Sequence, residues 1–386
     1  MRVAHIITRM IIGGAQENTL YNCLDLIQQY GDDVLLITGP STGPEGELLA
    51  KGRAGGLPVL QIDALARSIH PWRDWQALKQ LRKALADFKP DVVHTHSAKG
   101  GFLGRAAAWG RVPVVVHTVH GAPFHPYQSW LASTLFIALE RWAAKRCHHM
   151  ISVADAMTDL MVAAKVAHRS KFTTIYSGMD VEPFQQANQF RKACRAEFGF
   201  KESDVVVGKI ARLFHLKGHK YLIQSAKRVC NENPNVQFLF VGDGVLRESL
   251  EAQIESLGVT KNFHFVGLVP PERIPYYLSG MDMLAHTSLR EGLARTLPQA
   301  LIAGKPVISY DVDGAREVAI NGETGVLLPP KSIDQLSEAI LQLARDSELR
   351  QKLGQGGARL FTDQFRHQTM TAKIRQLYQQ LRTNSG

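Results

Sequence analysis

Cysteine is scarce: Cys23, Cys147, Cys194 and Cys230 are the only four in 386 residues, with no Cys-x-x-Cys and no Cys/His metal spacing. Scattered single thiols give no disulfide framework and suit a reduced, cytosolic protein. Long apolar runs are also missing. No stretch approaches the roughly 20 apolar residues needed to span a bilayer, and the opening MRVAHIITRM is too short and interrupted for a secretory leader. No aspartate-rich metal motif stands out. The first strand-to-helix turn, RMIIGGAQEN, lacks GxGxxG, which argues against an NAD-dependent dehydrogenase. A basic arm is absent as well: basic residues outnumber acidic ones by 19 to 15 up to position 190 and by 26 to 20 beyond it. An excess spread over both halves gives no reason to expect a nucleic-acid partner.

What is present is globular. Hydrophobic residues make up 45% of the chain and charged residues 21%, enough apolar content for two cores. A chain of this length suits two domains of roughly 150 to 200 residues each. The net charge of +10 favours an anionic partner: a nucleotide, a phospholipid-linked acceptor or a membrane surface. Apolar strands alternate with helical patterns in the first half: 3–8, 34–38, 59–62, 92–96, 112–119 and 150–154. The rhythm restarts at 205–213, 236–244 and 263–268. Near-continuous apolar strands with crossover helices predict α/β architecture, with doubly wound parallel sheets covered on both faces.

The most informative stretch runs from Met283 to Pro329. It reads as a strand (Met281 to Ala285), a polar loop (His286 to Gly292), a helix from about Ala294 to Ala303, and a second strand (Lys305 to Tyr310). In such βαβ units ligands sit at the carboxyl ends of the strands. Glu291 lies just before the helix, and the backbone N–H groups of Gly292, Leu293 and Ala294 suit a phosphate. Pro298 falls in the first helical turn, where its missing N–H has no intrahelical partner. From this unit alone, helix capping and ligand contact by Glu291 are both open.

The run Glu291-Gly292-Leu293…Thr296-Leu297-Pro298-Gln299-Ala300…Gly304-Lys305-Pro306, followed by Asp313-Gly314…Glu317 and Gly322…Thr324-Gly325, resembles the donor-site signature of the family-four (group 1) glycosyltransferases of the GT-B fold. The resemblance implies two Rossmann-like domains facing across a cleft. It also implies retaining, metal-independent transfer from a nucleoside diphosphate sugar (a UDP-sugar favoured) to a glycan or lipid-linked hydroxyl acceptor, with no cofactor. In that family two glutamates stand eight positions apart, one on the donor sugar and one on the ribose. Here the first is Glu291, and the second position is Gln299, a departure. A non-catalytic nucleotide-sugar or glycan-binding protein of the same fold is therefore the competing expectation.

The same resemblance assigns further residues. Gly13 and Gly14 form a phosphate-side loop, and paired glycines at a strand-to-helix turn let backbone approach a ligand. His120, before Gly121, reaches the donor sugar from the N-terminal domain. Arg212 and Lys217, two cations five apart at a strand end, suit a diphosphate whose charge grows as the glycosidic bond breaks. Val241 to Gly244 is a tight turn beside the nucleotide. His94 and His96 share one face of a strand, but no third ligand has convincing spacing, so they read as strand-end polar residues.

The expected organisation is a domain over 1–178, a hinge over 179–203, a donor domain over 204–365 and a terminal helix over 366–386 that crosses back to the first domain. A helix over 127–146 carries Leu131, Leu135, Leu139 and Trp142 on one stripe. The spacing predicts a core face; an interfacial membrane helix is the alternative. The expected location is cytoplasmic, with peripheral attachment to the inner face of the membrane. Residues 354–357 read as an irregular glycine-rich passage.

Overall fold

The computed structural model describes residues 1–41, 48–125 and 127–383. They form two compact units, Met1–Met179 with Gln364–Gly386, and Asp180–Asp363. Both are doubly wound α/β sheets with every strand pair parallel.

The first unit contains β1 (Arg2–Ile7), β2 (Asp33–Thr38), β3 (Val59–Gln61), β4 (Val92–His96), β5 (Val114–Val119), β6 (His149–Ser152) and β7 (Phe172–Thr174), in the order β3-β2-β1-β4-β5-β6-β7. The order reverses between β1 and β4, the kind of switch point where open α/β sheets bind ligands. One face packs Val3, Ile7, Val92, Val114 and Val116 under the helix Gly14–Tyr30 and the final helix, His367–Thr383. That last helix is tied down by polar contacts as well as by Ile374 and Tyr378. Asp25 accepts from Thr371 Oγ1 at 2.8 Å and pairs with His367, and Asp32 pairs with Arg375 at 2.9 Å.

The second unit contains β8 (Val205–Ile210), β9 (Val236–Val241), β10 (Phe263–Gly267), β11 (Met283–His286), β12 (Val307–Tyr310) and β13 (Gly325–Leu328), in the order β10-β9-β8-β11-β12-β13. Its switch point lies between β8 and β11. Val207, Phe238, Phe240, Met283 and Ile308 fill its core against Leu222, Val229, Leu336 and Ile340 of the covering helices.

Several elements differ from the sequence expectation, each for a local physical reason. The short edge strands β7 and β13 were not anticipated; at three and four residues they carry little periodic signal. The stretch expected as a hinge belongs to the second unit from Asp180 onward. Its charges are internal partners: Arg191 and Arg195 reach the Asp282 carboxylate at 2.6 and 3.2 Å, and Val206 N–H donates to the same group at 2.8 Å. The glycine-rich passage is not irregular but lies within the helix Ser347–Phe361. There glycine permits close packing, since a Cβ at Gly354 would lie 2.1 Å from the Gly304 carbonyl oxygen.

The largest correction concerns the helix expected over 127–146, which runs Trp130–Ala144. Its hydrophobic stripe is not core: Trp130 is 72% exposed and Leu131 63%, and Leu135, Leu139 and Trp142 are exposed too. The buried face is made instead by Ala143, Ala144 and Glu140, whose carboxylate meets the fully buried Arg105 at 3.0 Å. A charged pair occupies the place that spacing assigned to leucines.

Candidate active site

In the second unit, the loops that leave β8 and β11 are zipped together. Gly218 has φ 69°, in the left-handed region, and a Cβ there would lie 1.8 Å from the Thr287 carbonyl oxygen, so glycine is required twice over. Thr287 Oγ1 donates to the Gly218 carbonyl at 2.9 Å, and Leu289 N–H donates to Leu216 O at 2.8 Å. This zipping carries Lys217 onto Glu291, whose Oε1 accepts from the Lys217 ammonium and from Ser288 Oγ at 3.4 Å. Glu291 is held from behind as well: its N–H donates to Asp313 Oδ2 at 2.7 Å, and Gly314 N–H donates to Gly292 O at 3.0 Å. Burial pushes the Asp313 carboxyl up from its ordinary range, while the Glu291 N–H and the nearby Arg290 pull it back.

Lys209 lies beneath this pair, fully buried on β8, with its ammonium donating to Thr287 Oγ1 at 3.0 Å. Burial pushes its pKa down to about 7, the neighbouring Lys217 adds to the effect, and Glu291 opposes it. Arg212 stands at the end of the same strand. Its guanidinium lies 5.1 Å from the Phe214 ring centroid, and its carbonyl meets His219 Nε2 at 2.9 Å. The Val241–Gly244 turn abuts it: Leu213 N–H donates to Asp243 O at 2.8 Å.

The helix after Glu291 begins at Thr296, two residues later than expected, and ends at Ile302, one residue earlier. Gly292, Leu293 and Ala294 thus belong to the preceding loop rather than to a first helical turn, because the Gly314 contact holds Gly292 outside the helix. Pro298 does fall in the first turn. Gln299 is half-buried in that helix.

In the first unit, Gly13 caps the helix Gly14–Tyr30, and its carbonyl accepts from Glu17 N–H at 2.9 Å. His120 follows the end of β5, and its Nε2 lies 3.2 Å from His96 Nδ1. His96 Nε2 in turn lies 3.0 Å from His5 Nδ1. His94, directly across from His5 in the sheet register, has its ring nitrogens on Tyr378 Oη at 2.5 Å and Thr118 Oγ1 at 2.6 Å. Nitrogen atoms of His5, His94 and His96 lie within 4.8 Å of one another, a grouping that could hold a metal ion. The third partner that spacing along the chain did not supply is thus brought in by strand pairing. A small cavity beside His120 is lined by Ser97, His117, Gly121 and Glu140.

Sequence reasoning therefore named Lys217 and Glu291, which the fold brings into contact, and it named His120. It missed His5 and Lys209. Each was visible only as a polar residue inside an apolar strand, VAHIIT and VVVGKIARL.

Comparison with known proteins follows the same division. The family described as "Glycosyltransferase Family 4" matches residues 12–183, and "Glycosyl transferases group 1" matches residues 190–360. The Escherichia coli UDP-Gal:alpha-D-GlcNAc-diphosphoundecaprenol alpha-1,3-galactosyltransferase is 28% identical over 353 residues, covering 90% of this chain and 89% of its own. The Staphylococcus aureus capsular polysaccharide biosynthesis glycosyltransferase CapM is 23% identical, with 83% and 84% covered. Anabaena Alr3699/HepE, solved with UDP, superimposes with a TM-score of 0.81 at 21% identity, over 98% of this chain and 100% of that one. The two family matches together span nearly the whole chain, the fold agrees throughout, and the chain belongs to the family-four (group 1) glycosyltransferases of the GT-B fold.

Proposed function

We propose that this glycosyltransferase moves a sugar from a nucleoside diphosphate sugar, with UDP-sugars favoured, to the hydroxyl of a glycan or lipid-linked acceptor in cell-surface polysaccharide or glycolipid synthesis. The observation that carries the reading is the Lys217–Glu291 contact at the switch point of the second sheet. It sets a cation for the diphosphate beside a carboxylate for the sugar. The C1–O bond to the diphosphate breaks as the acceptor hydroxyl oxygen bonds to C1; the electron pair stays on the leaving oxygen, the hydroxyl proton passes to the departing phosphate, and Lys217 and Arg212 stabilise the charge that develops. These two cations supply what a metal ion would otherwise provide, so transfer proceeds without added metal; retention of configuration is what the family resemblance implies. Glu291 and His120 serve the sugar, Gly13 and Gly14 the phosphate-side loop, and Gln299 the ribose. The relatives' names support the donor and acceptor classes: one uses UDP-Gal and a diphosphoundecaprenol acceptor, and a structural neighbour was solved with UDP-glucose.

A lipid-linked acceptor also accounts for the exposed helix Trp130–Ala144. All five tryptophans, at 72, 75, 109, 130 and 142, are exposed, and all lie in the first unit. Cations accompany them: Arg146 lies 3.5 Å from the Trp142 ring centroid, and Lys79 lies 4.4 Å from that of Trp75. Tryptophan with flanking lysine and arginine suits the headgroup region of an anionic membrane. No helix among the described residues is long and apolar enough to cross a membrane, so the attachment proposed is peripheral, on the cytoplasmic face. Flotation with anionic liposomes at low salt should carry the protein upward, and high salt should release it. Protein that stays below at low salt rules the attachment out.

The reaction itself is tested by incubating the purified enzyme with a panel of nucleoside diphosphate sugars and lipid-linked or glycan acceptors in the presence of EDTA. The product anomer is then read by NMR. The reading expects release of nucleoside diphosphate and a product of unchanged anomeric configuration. Donor binding without turnover of any donor would instead favour the binding-protein reading that Gln299 raises.

A further inference from the structure

The first sheet contains a line of imidazoles of which the proposed reaction uses only the last, His120. His5 on β1, His96 on β4 and His120 after β5 run across neighbouring strands, linked by contacts of 3.0 Å and 3.2 Å. The rings of adjacent members are stacked, with centroids 5.3 Å and 5.5 Å apart. Each contact joins ring nitrogens, so each requires one N–H and one bare lone pair.

His5 and His96 are both completely buried, and burial disfavours the charged imidazolium. A neutral imidazole carries one proton. The line therefore has only two self-consistent polarities. In one, every Nδ1 carries the proton: His5 donates to His96 Nε2, His96 donates to His120 Nε2, and His120 keeps its proton on Nδ1. In the other, every Nε2 carries it and the bonds run in reverse.

The far end of the line decides between them. His5 Nε2 is buried and has no protein hydrogen-bond partner among the described residues. The second polarity would strand an N–H there, and orphaned buried N–H groups are the rarer and less tolerated defect. The first leaves only a bare lone pair.

We infer that His96 is a positioning residue that locks His120 as its Nδ1–H tautomer, with His5 setting the direction of the chain. His120 then acts through an N–H, as a hydrogen-bond donor to an oxygen, and not as a base. This rests on the proposed role of His120 at the donor sugar, while the orientation of the line can be read without any assay of activity.

The experiment is long-range proton–nitrogen correlation NMR on the full-length protein labelled with 15N-histidine. The expected result is the Nδ1–H pattern for His5, His96 and His120. An Nε2–H pattern at His96 and His120 overturns the inference. The kinetic arm compares His96→Leu, which removes the donor, with His96→Asn, whose amide can replace the Nδ1–H. His96→Leu should lower kcat about tenfold, the weight of one hydrogen bond, with donor KM nearly unchanged. His96→Asn should restore most of the rate. Equal loss in both variants overturns the positioning role. If His96→Leu does not fold, the wild-type spectrum alone decides the tautomer. Full turnover by His120→Ala would remove the role of His120 at the sugar, and the positioning claim with it; a reversed tautomer would remove only the inference.

Discussion

At the carboxyl ends of β4 and β5 the first unit gathers closely packed imidazoles, whereas at the ends of β8 and β11 the second gathers an ammonium, a carboxylate and a buried lysine. Both clusters stand at the switch point of a doubly wound parallel sheet, and both are built from residues that leave adjacent strands. The scaffold is the same and the electrostatics differ. A line of neutral rings can present N–H groups to hydroxyls and ring oxygens without adding net charge. The Lys217–Glu291 pair, half-buried and close to Lys209, instead sets full charges of both signs side by side. One fold thus supports two kinds of recognition, because the strand ends can be given any side chain that the packing beneath them tolerates.

The comparison is broken most strongly at Glu291. Glu291→Ala should lower kcat by about 10²–10³-fold, the scale found for removing a preorganised electrostatic contact. It should leave the fold intact, since the loop is also held by the Leu289–Leu216 and Gly314–Gly292 backbone bonds. Steady-state kinetics with saturating donor would check it, and a rate close to wild type would remove Glu291 from the chemistry.

A smaller effect on stability belongs to Lys209. Its folded pKa, near 7, lies below the ordinary lysine value, so the unfolded chain binds more protons between the two. The sign is therefore that stability rises with pH from about 7 toward the ordinary value, and the penalty of the buried amine is fully present below 7. Lys209→Met should stabilise the fold at neutral pH by roughly 1–4 kcal/mol, and the gain should shrink as pH rises. Melting curves over that pH range would show it. A gain that does not depend on pH would mean that Lys209 is not titrating.

The smallest effect is expected at Gln299. A neutral hydrogen bond to the ribose nets about 0.5–1.5 kcal/mol. Gln299→Ala should therefore raise the donor KM several-fold with kcat little changed, and Gln299→Glu should lower KM. Loss of kcat in Gln299→Ala at saturating donor would show that this residue does not serve the ribose.

The fold class was legible because β1, β4, β5, β8, β9 and β12 are near-continuous apolar runs with crossover helices between them. The Glu291 loop was legible because glycine, proline and carboxylate fall at fixed offsets around a strand-to-helix turn. The His5–His96–His120 line was not legible, since it depends on strand register, which brings together residues 91 and 24 positions apart. Nor was the exposed face of Trp130–Ala144. Periodicity reports that a helix has an apolar side and does not say which side faces the sheet, and here the Arg105–Glu140 pair took the inner position.

The division of charge between the two units can be tested most directly by calorimetric titration of UDP and of uridine into wild type, Arg212→Ala and Lys217→Ala. If the second unit holds the diphosphate through these cations, each variant should lose roughly 1.5–3 kcal/mol of UDP affinity while uridine binding stays the same. Unchanged UDP affinity, or an equal loss for uridine, would contradict it and place the diphosphate elsewhere.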